Sequence, residues 1–324
     1  MSHPLRTLLL LLPVALAACA VAVALGSVTV PPAAIWAVMS GEGEPLQRTL
    51  LLDLRLPRAL SAFAVGGLLA VAGALMQVLL RNPLADPYVL GLSGGAATGA
   101  LLAMLAGLGT ALVSGAAFAG ALASTVIVFG TAHGTGSWTP TRLLLTGFVV
   151  AAGWGALISF LLAVSPAQQL PGMLFWLMGD MANARSPIAP LAILVLVVAA
   201  AVPFGRSLNI LARGPQQAAA LGLAVRRMEW GVYLVAALIT ATAVTVAGSV
   251  GFVGLIIPHM LRLVIGFDQR IILPASALAG GTLLVLADTL ARTIIAPEQL
   301  PVGVITAMLG VPIFLWLLHR STSS

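Results

Sequence analysis

"RNPLADPYVLGLSGGAATGA", Arg81–Ala100, is a polar, proline-punctuated loop that runs straight into glycines, with a long apolar run on either side. A helix needs roughly 20 apolar residues to cross a hydrocarbon core about 30 Å thick, so the stretch reads as the turn between two crossings. The composition extends that reading to the whole chain. Of 324 residues, 60% are hydrophobic and 7% charged, with a mean hydropathy of +1.11, far outside the range of a soluble globular domain. The fold class is all-α, a polytopic membrane protein.

Charge-free runs of spanning length are Thr7–Leu25, Ala59–Leu80, Leu143–Val164, Pro187–Gly205, Ile271–Ala287 and Pro301–Leu318. The run Pro87–Ala132 divides at "GLGTALVSG" into two spans, because paired glycines and a serine make a poor helix interior. Trp230–Leu261 would measure roughly 48 Å as one helix. It carries "GSVGFVG", where the chain is expected to leave the membrane and return as a short span. The total is ten transmembrane helices.

The arginines orient them. With the N-terminus inside, Arg6, Arg81, Arg142, Arg206, Arg213, Arg226, Arg227, Arg262, Arg270 and Arg320 fall on the cytoplasmic side. Arg48, Arg55, Arg58, Arg185 and Arg292 fall outside, so the excess favours two cytoplasmic termini. The net charge of +6 is scattered between apolar spans and does not point to nucleic acid. All fifteen basic residues are arginine, so the chain lacks the lysine of a Walker A phosphate loop. A single cysteine, Cys19, excludes an intrachain disulfide framework. "LAAC" at Leu16–Cys19 matches a lipoprotein cleavage box, but the apolar run continues beyond it through "AVAVAL", as in an ordinary helix.

No hydrophilic stretch is long enough for a second domain, so residues 1–324 read as one membrane domain. Its larger polar segments are Ser27–Arg58, outside, and Arg206–Glu229, inside, where a short helix is expected after Gly214-Pro215. A faint internal echo, "VAG" before "LSGG" and again before "LAGG", runs in opposite directions through the bilayer. It suggests an inverted repeat with a path between its halves.

Chemistry-bearing residues are few. Asp288 and Arg292, at i and i+4, can pair on one helix face. Asp288 is also the sole candidate for the buried carboxylate of an ion-coupled carrier. His259 has no second histidine or carboxylate at zinc-ligand spacing, and neither HExxH nor GxSxG occurs, so no metal site and no catalytic residue is expected. Met173, Phe175, Trp176 and Met178 could line a cavity or serve as interfacial anchors. Gly66, Gly67, Gly73, Gly94, Gly95 and Gly99 permit close helix packing, at rest or in a moving gate.

Four blocks carry a resemblance: "LRLPRAL" at Leu54–Leu60, "GALMQVLLRNPLADPYVLGLSGGAATGA" at Gly73–Ala100, "GFVGLIIPHMLRLVIGFDQRIILPASALAGG" at Gly251–Gly281, and "LADTLARTIIAPEQLPVGVITAMLGVPIFLWLL" at Leu286–Leu318. In order, and over nearly the whole chain, the sequence resembles the FecCD/BtuC-like permeases of bacterial ABC importers, which take up iron–siderophore complexes, haem and vitamin B12. The resemblance implies a type II importer permease fold in the bacterial inner membrane. It implies a homodimer with the path between subunits, two cytoplasmic ATPase subunits that bind the ATP and magnesium, and a periplasmic binding protein that delivers a metal-chelate or corrinoid. No cofactor of the chain's own is implied.

By the same resemblance, Arg55, Arg58 and Arg292 match positions that pair with acidic residues of the binding protein. Gly214, Ala218, Leu221 and Gly222 fall in the segment that docks on the ATPase, although Pro215 stands where a glutamate is usual. Asn82 and Leu84 resemble constriction residues at the cytoplasmic exit, with Thr139, Pro140 and Thr141 as the partner gate. Pro140 replaces a commonly hydroxylated residue. The rival expectation is an ion-coupled secondary transporter built around Asp288. Siderophore, haem and corrinoid remain equally open as substrate.

Overall fold

In the computed structural model, residues 3–26, 28, 30–133, 139–184 and 186–321 are described, and among them every regular element is helical. Arg185, one of the arginines assigned outside, falls beyond the described residues. Helix α1 (His3–Ala24) is followed by the short α2 (Pro32–Ser40) and α3 (Pro45–Arg48), and a π-helical turn, Thr49–Arg55, leads into α4 (Leu56–Leu79). A 3-10 turn, Pro87–Leu90, precedes α5 (Leu92–Leu105), after which come α6 (Thr110–His133), α7 (Pro140–Val164) and α8 (Leu170–Met178). Helices α9 (Ile188–Ala201) and α10 (Gly205–Leu211) meet at 71°, and α11 (Pro215–Ala220) sits beyond them. The chain continues through α12 (Val225–Ala247), α13 (Val253–Ile265), α14 (Gln269–Thr293) and α15 (Val302–Ser321).

Six of these helices are long and apolar enough to cross a bilayer: α1, α4 with its lead-in from Pro45, α6, α7, α12 and α14. The bent pair α9–α10 makes a seventh, and α5, α13 and α15 are shorter apolar helices. Each of the ten apolar segments expected from the sequence coincides with one of these.

Two local features add to the expectation. The end of the polar segment Ser27–Arg58 is helical from Pro45 and continuous with α4. Pro57 has no N–H and its ring crowds the carbonyl four residues earlier. The preceding turn is widened to a π-helix, which accommodates such a break. At "GSVGFVG" the connection between α12 and α13 is packed into the bundle: Gly248, Val250, Val253 and Gly254 are buried. Val250 donates its backbone N–H to the Tyr88 hydroxyl at 3.2 Å, while Asp86 accepts the Tyr88 N–H at 2.7 Å. A Cβ on Gly254 would meet the Pro87 ring. The two interrupted stretches of the sequence therefore pack on each other, and α5 and α13 are short because both begin inside the bundle. The lengths run 24, 14, 24 and 25 residues for α4 to α7 and 23, 13, 25 and 20 for α12 to α15, a pattern that pairs α5 with α13, whereas the "LSGG" and "LAGG" of the sequence echo fall in α5 and α14.

Helix α4 occupies the centre. Its apolar window is 89% buried against 11% for α7, and it packs on α14, α12, α13, α9 and α1. Gly66 lies against the Gly280 carbonyl of α14 and Gly73 against the Gly254 carbonyl of α13, so that an added Cβ at either place would overlap backbone. In lipid, helices associate by such close packing. Gly73→Ala is expected to destabilise the protein by about 1–3 kcal/mol through overpacking, whereas Gly115→Ala, where a Cβ meets open space, leaves the midpoint unchanged or raises it. Thermal unfolding in detergent compares the two.

Candidate functional site

At one end of the bundle, where α4 begins and α1 and α14 finish, four charged side chains from three segments converge. Asp288 on α14 accepts Arg58 of α4, Nη2 to Oδ1 at 2.8 Å and Nε to Oδ2 at 3.0 Å, and the Nε of Arg292 lies 3.1 Å from Oδ2 one turn along the same helix. Arg58 also donates to Oε1 of Gln299 at 2.9 Å. Arg292 donates to the Ala22 carbonyl at 3.1 Å, and Arg55 to the carbonyls of Val23 at 3.0 Å, Ala24 at 2.9 Å and Val28. The last carbonyls of a helix have no partner within it, and here two arginines supply the donors for α1. Asp180, in the turn after α8, feels the Arg58 charge; burial pushes its carboxyl up, against the pull of the Ala182 N–H at 2.9 Å.

The structure thus brings Arg55, Arg58 and Arg292 together, and it orders them by access. Arg55 and Arg292 are each 4% exposed and turned inward, while the Arg58 side chain keeps 12%. Asp288, bonded to two arginines, forms the expected i,i+4 pair plus a partner 230 residues away.

At the opposite end lie the residues that the resemblance assigned to a gate and a coupling segment. Asn82 folds its loop by accepting the Leu84 N–H on Oδ1 at 2.9 Å and the Ala85 N–H on its carbonyl at 3.1 Å, leaving Leu84 exposed. Thr139 caps α7 by accepting the Arg142 N–H at 3.2 Å, Pro140 opens that helix and Thr141 is exposed. Proline at a first helical position lacks only a donor that would go unused. Gly214 holds φ at +107°, which a side chain would resist, and its Cα faces the Arg81 guanidinium at the end of α4. Helix α11 follows at once, with Ala218 buried against the bundle and Leu221 62% exposed. Gly222, at φ +80°, ends it by donating to the Ala219 carbonyl.

Between the Asn82–Leu84 loop and α10 lies a cleft of about 630 Å³ lined by Arg81, Asn82, Asn209, Arg213, His259 and Arg262. Asp268 closes one side, capping α14 and accepting Asn209 Nδ2 at 3.0 Å; the Arg270 guanidinium, at 2.6 Å, holds its carboxyl well below the usual range. Arg262 lies in the last turn of α13, at this same end of the bundle, and is 8% exposed. It donates to the Gln77 side-chain oxygen and the Ala74 carbonyl, and Gln77 returns a bond to the Leu255 carbonyl at 3.0 Å. This buried link between α4 and α13 escaped sequence reading. The available signal was an arginine one turn after Pro258-His259 in an otherwise apolar run.

Beside the first end, Phe175, Trp176, Asp180 and Asn183 line a second cleft of about 730 Å³, while Met173 is buried and Met178 partly exposed. Of the four residues of this segment, Phe175 and Trp176 line the cleft and Met173 and Met178 do not. Asp288→Ala would leave two buried arginines uncompensated, a loss of about 3 kcal/mol or more. A melt in detergent should show it, with exposed Asp53→Ala as the silent control; equal midpoints would contradict the network's structural role.

The chain matches the FecCD transport family over residues 11–320. It is 42% identical over 284 residues to the hemin transport system permease protein HmuU of Yersinia pestis, covering 83% of each chain. It is 37% identical over 322 residues to the vitamin B12 import system permease protein BtuC of Vibrio cholerae, covering 98% of this chain and 95% of that one. A solved structure described as an inward-facing conformation of a metal-chelate type ABC transporter superposes with a TM-score of 0.86 at 28% identity, over 97% of this chain and 99% of that one. Sequence, helix order and superposition agree: the chain belongs to the FecCD transport family, the multi-pass inner-membrane permeases of ABC importers for haem, siderophore and vitamin B12.

Proposed function

We propose that two copies of this chain form the ten-helix-per-subunit channel of an importer, termini in the cytoplasm, with ATP hydrolysed by two separate subunits and the cargo, a metal-chelate or corrinoid, handed over by a periplasmic binding protein. The observation that carries the proposal is the seating of the coupling segment. Gly214 opens α11 directly beside Arg81, the last residue before the gate loop at Asn82–Leu84, and α11 offers Leu221 as an exposed apolar knob. A push on α11 is delivered to the end of α4, and from α4 through Gln77 and Arg262 to α13. Rigid-body shifts of packed helices are the usual currency of such coupling.

Two facts support a division of labour. The chain contains no lysine for a phosphate loop. Asp288, the one candidate for ion coupling, is held by Arg58 and Arg292 as a structural ion pair. The cargo path runs between copies along exposed apolar faces such as that of α7, where Leu145, Phe148 and Val149 lie uncovered. Docking of the binding protein falls chiefly to Arg58, since Arg55 and Arg292 brace α1.

Leu221→Arg should abolish co-purification of the ATPase subunit while leaving the melt of the permease unchanged; undiminished co-purification would remove α11 from the interface. Arg58→Glu should weaken binding-protein docking at low salt, an effect that fades as salt screens surface charge; affinity independent of both charge and salt would contradict it. The cargo is read from which ligand, haem, ferric siderophore or cobalamin, stimulates ATP hydrolysis by the reconstituted complex, with stimulation by none of the three as the contrary result.

A further inference from the structure

We propose that the slot between α9, α10 and α12 holds one acyl chain of an anionic phospholipid whose phosphate rests on Arg226 and Arg227. The slot has a volume of about 470 Å³, and its walls, including Ala201, Phe204, Leu208 and Val235, are apolar except for Ser207 and, at one end, Arg227. That end opens into a groove formed by Arg226, Arg227 and Trp230. The slot follows α12 from Ala224 to Val235, about 16 Å at 1.5 Å per residue, and one leaflet of hydrocarbon is about 15 Å deep. A cavity one leaflet long, greasy along its length and cationic at its mouth, complements a single lipid.

The charges at the mouth are available to such a ligand. The ion pairs among the described residues join Arg58 and Arg292 to Asp288 and Arg270 to Asp268, and neither Arg226 nor Arg227 takes part. The nearest acid on the same helix, Glu229, feels the charge of Arg81 in the turn that follows α4. A zwitterionic lipid fits the slot equally well but brings no net charge to two arginines, each adding about five-fold to the attraction of an anionic lipid. Gly231 lies in the wall, and a Cβ there meets no atom within 4 Å. A larger residue at that position fills the slot without disturbing the helix, and helix propensity favours it.

The full-length protein, purified in detergent and stripped of lipid, is offered phosphatidylglycerol or phosphatidylcholine in mixed micelles, and retained lipid is read by native mass spectrometry. Phosphatidylglycerol should be retained and phosphatidylcholine lost. Gly231→Leu should abolish retention with an unchanged melt, and Arg226→Gln and Arg227→Gln should each reduce it about five-fold. Equal retention of the two lipids, or wild-type retention by both Gly231→Leu and the double arginine variant, overturns the proposal. So does loss of ATPase co-purification in these variants with lipid retention intact, which would assign the face to that subunit.

Discussion

The close approach of α4 to α14 and α13 is the constraint on which the remaining structure depends. Within a bilayer no water is expelled when helices meet, so association rests on packing, and here backbone touches backbone at Gly66 against Gly280 and at Gly73 against Gly254. That geometry buries α4 and fixes where its two ends emerge. One end presents Arg58 to Asp288, and the other leads to Arg81 beside Gly214 and to the loop that Asn82 folds. A single rigid rod thus joins the surface that would receive cargo to the surface that would receive mechanical work.

The polar groups inside the bundle follow from the same constraint. A buried charge without a partner is costly, and four of the buried charges have partners close by. Arg55 and Arg292 cap α1, Asp288 lies between two arginines, and Arg262 is bonded to Gln77 and a carbonyl. These groups tie helices to one another at fixed registers. They leave no free carboxylate at Asp288 for proton or sodium coupling, which is why energy from another subunit is the simpler reading.

Much of this was legible in the sequence, for identifiable reasons. Run lengths, with the glycine breaks inside two over-long runs, located α1, α4 to α7, α9 and α12 to α15, because the thickness of the bilayer imposes a length on a crossing segment. The i,i+4 spacing of Asp288 and Arg292 announced their pair, and Gly214-Pro215 announced the start of α11. What depended on tertiary approach was hidden. The reach of Arg58 across 230 residues to Asp288, the burial of Arg262, and the packing of the "GSVGFVG" turn on Tyr88 and Pro87 have no local periodicity to betray them. The inward turn of Arg55 was likewise hidden, since it follows the π-helical widening before Pro57.

The central claim is that this chain forms the passage and a separate ATPase supplies the work. It is tested most directly by cargo accumulation in sealed vesicles that contain the permease with or without its nucleotide-hydrolysing subunits, the binding protein being present in both. The account predicts uphill uptake only when those subunits and ATP are supplied together. Accumulation by the permease without them, driven by an imposed proton or sodium gradient and abolished by Asp288→Asn, would contradict it.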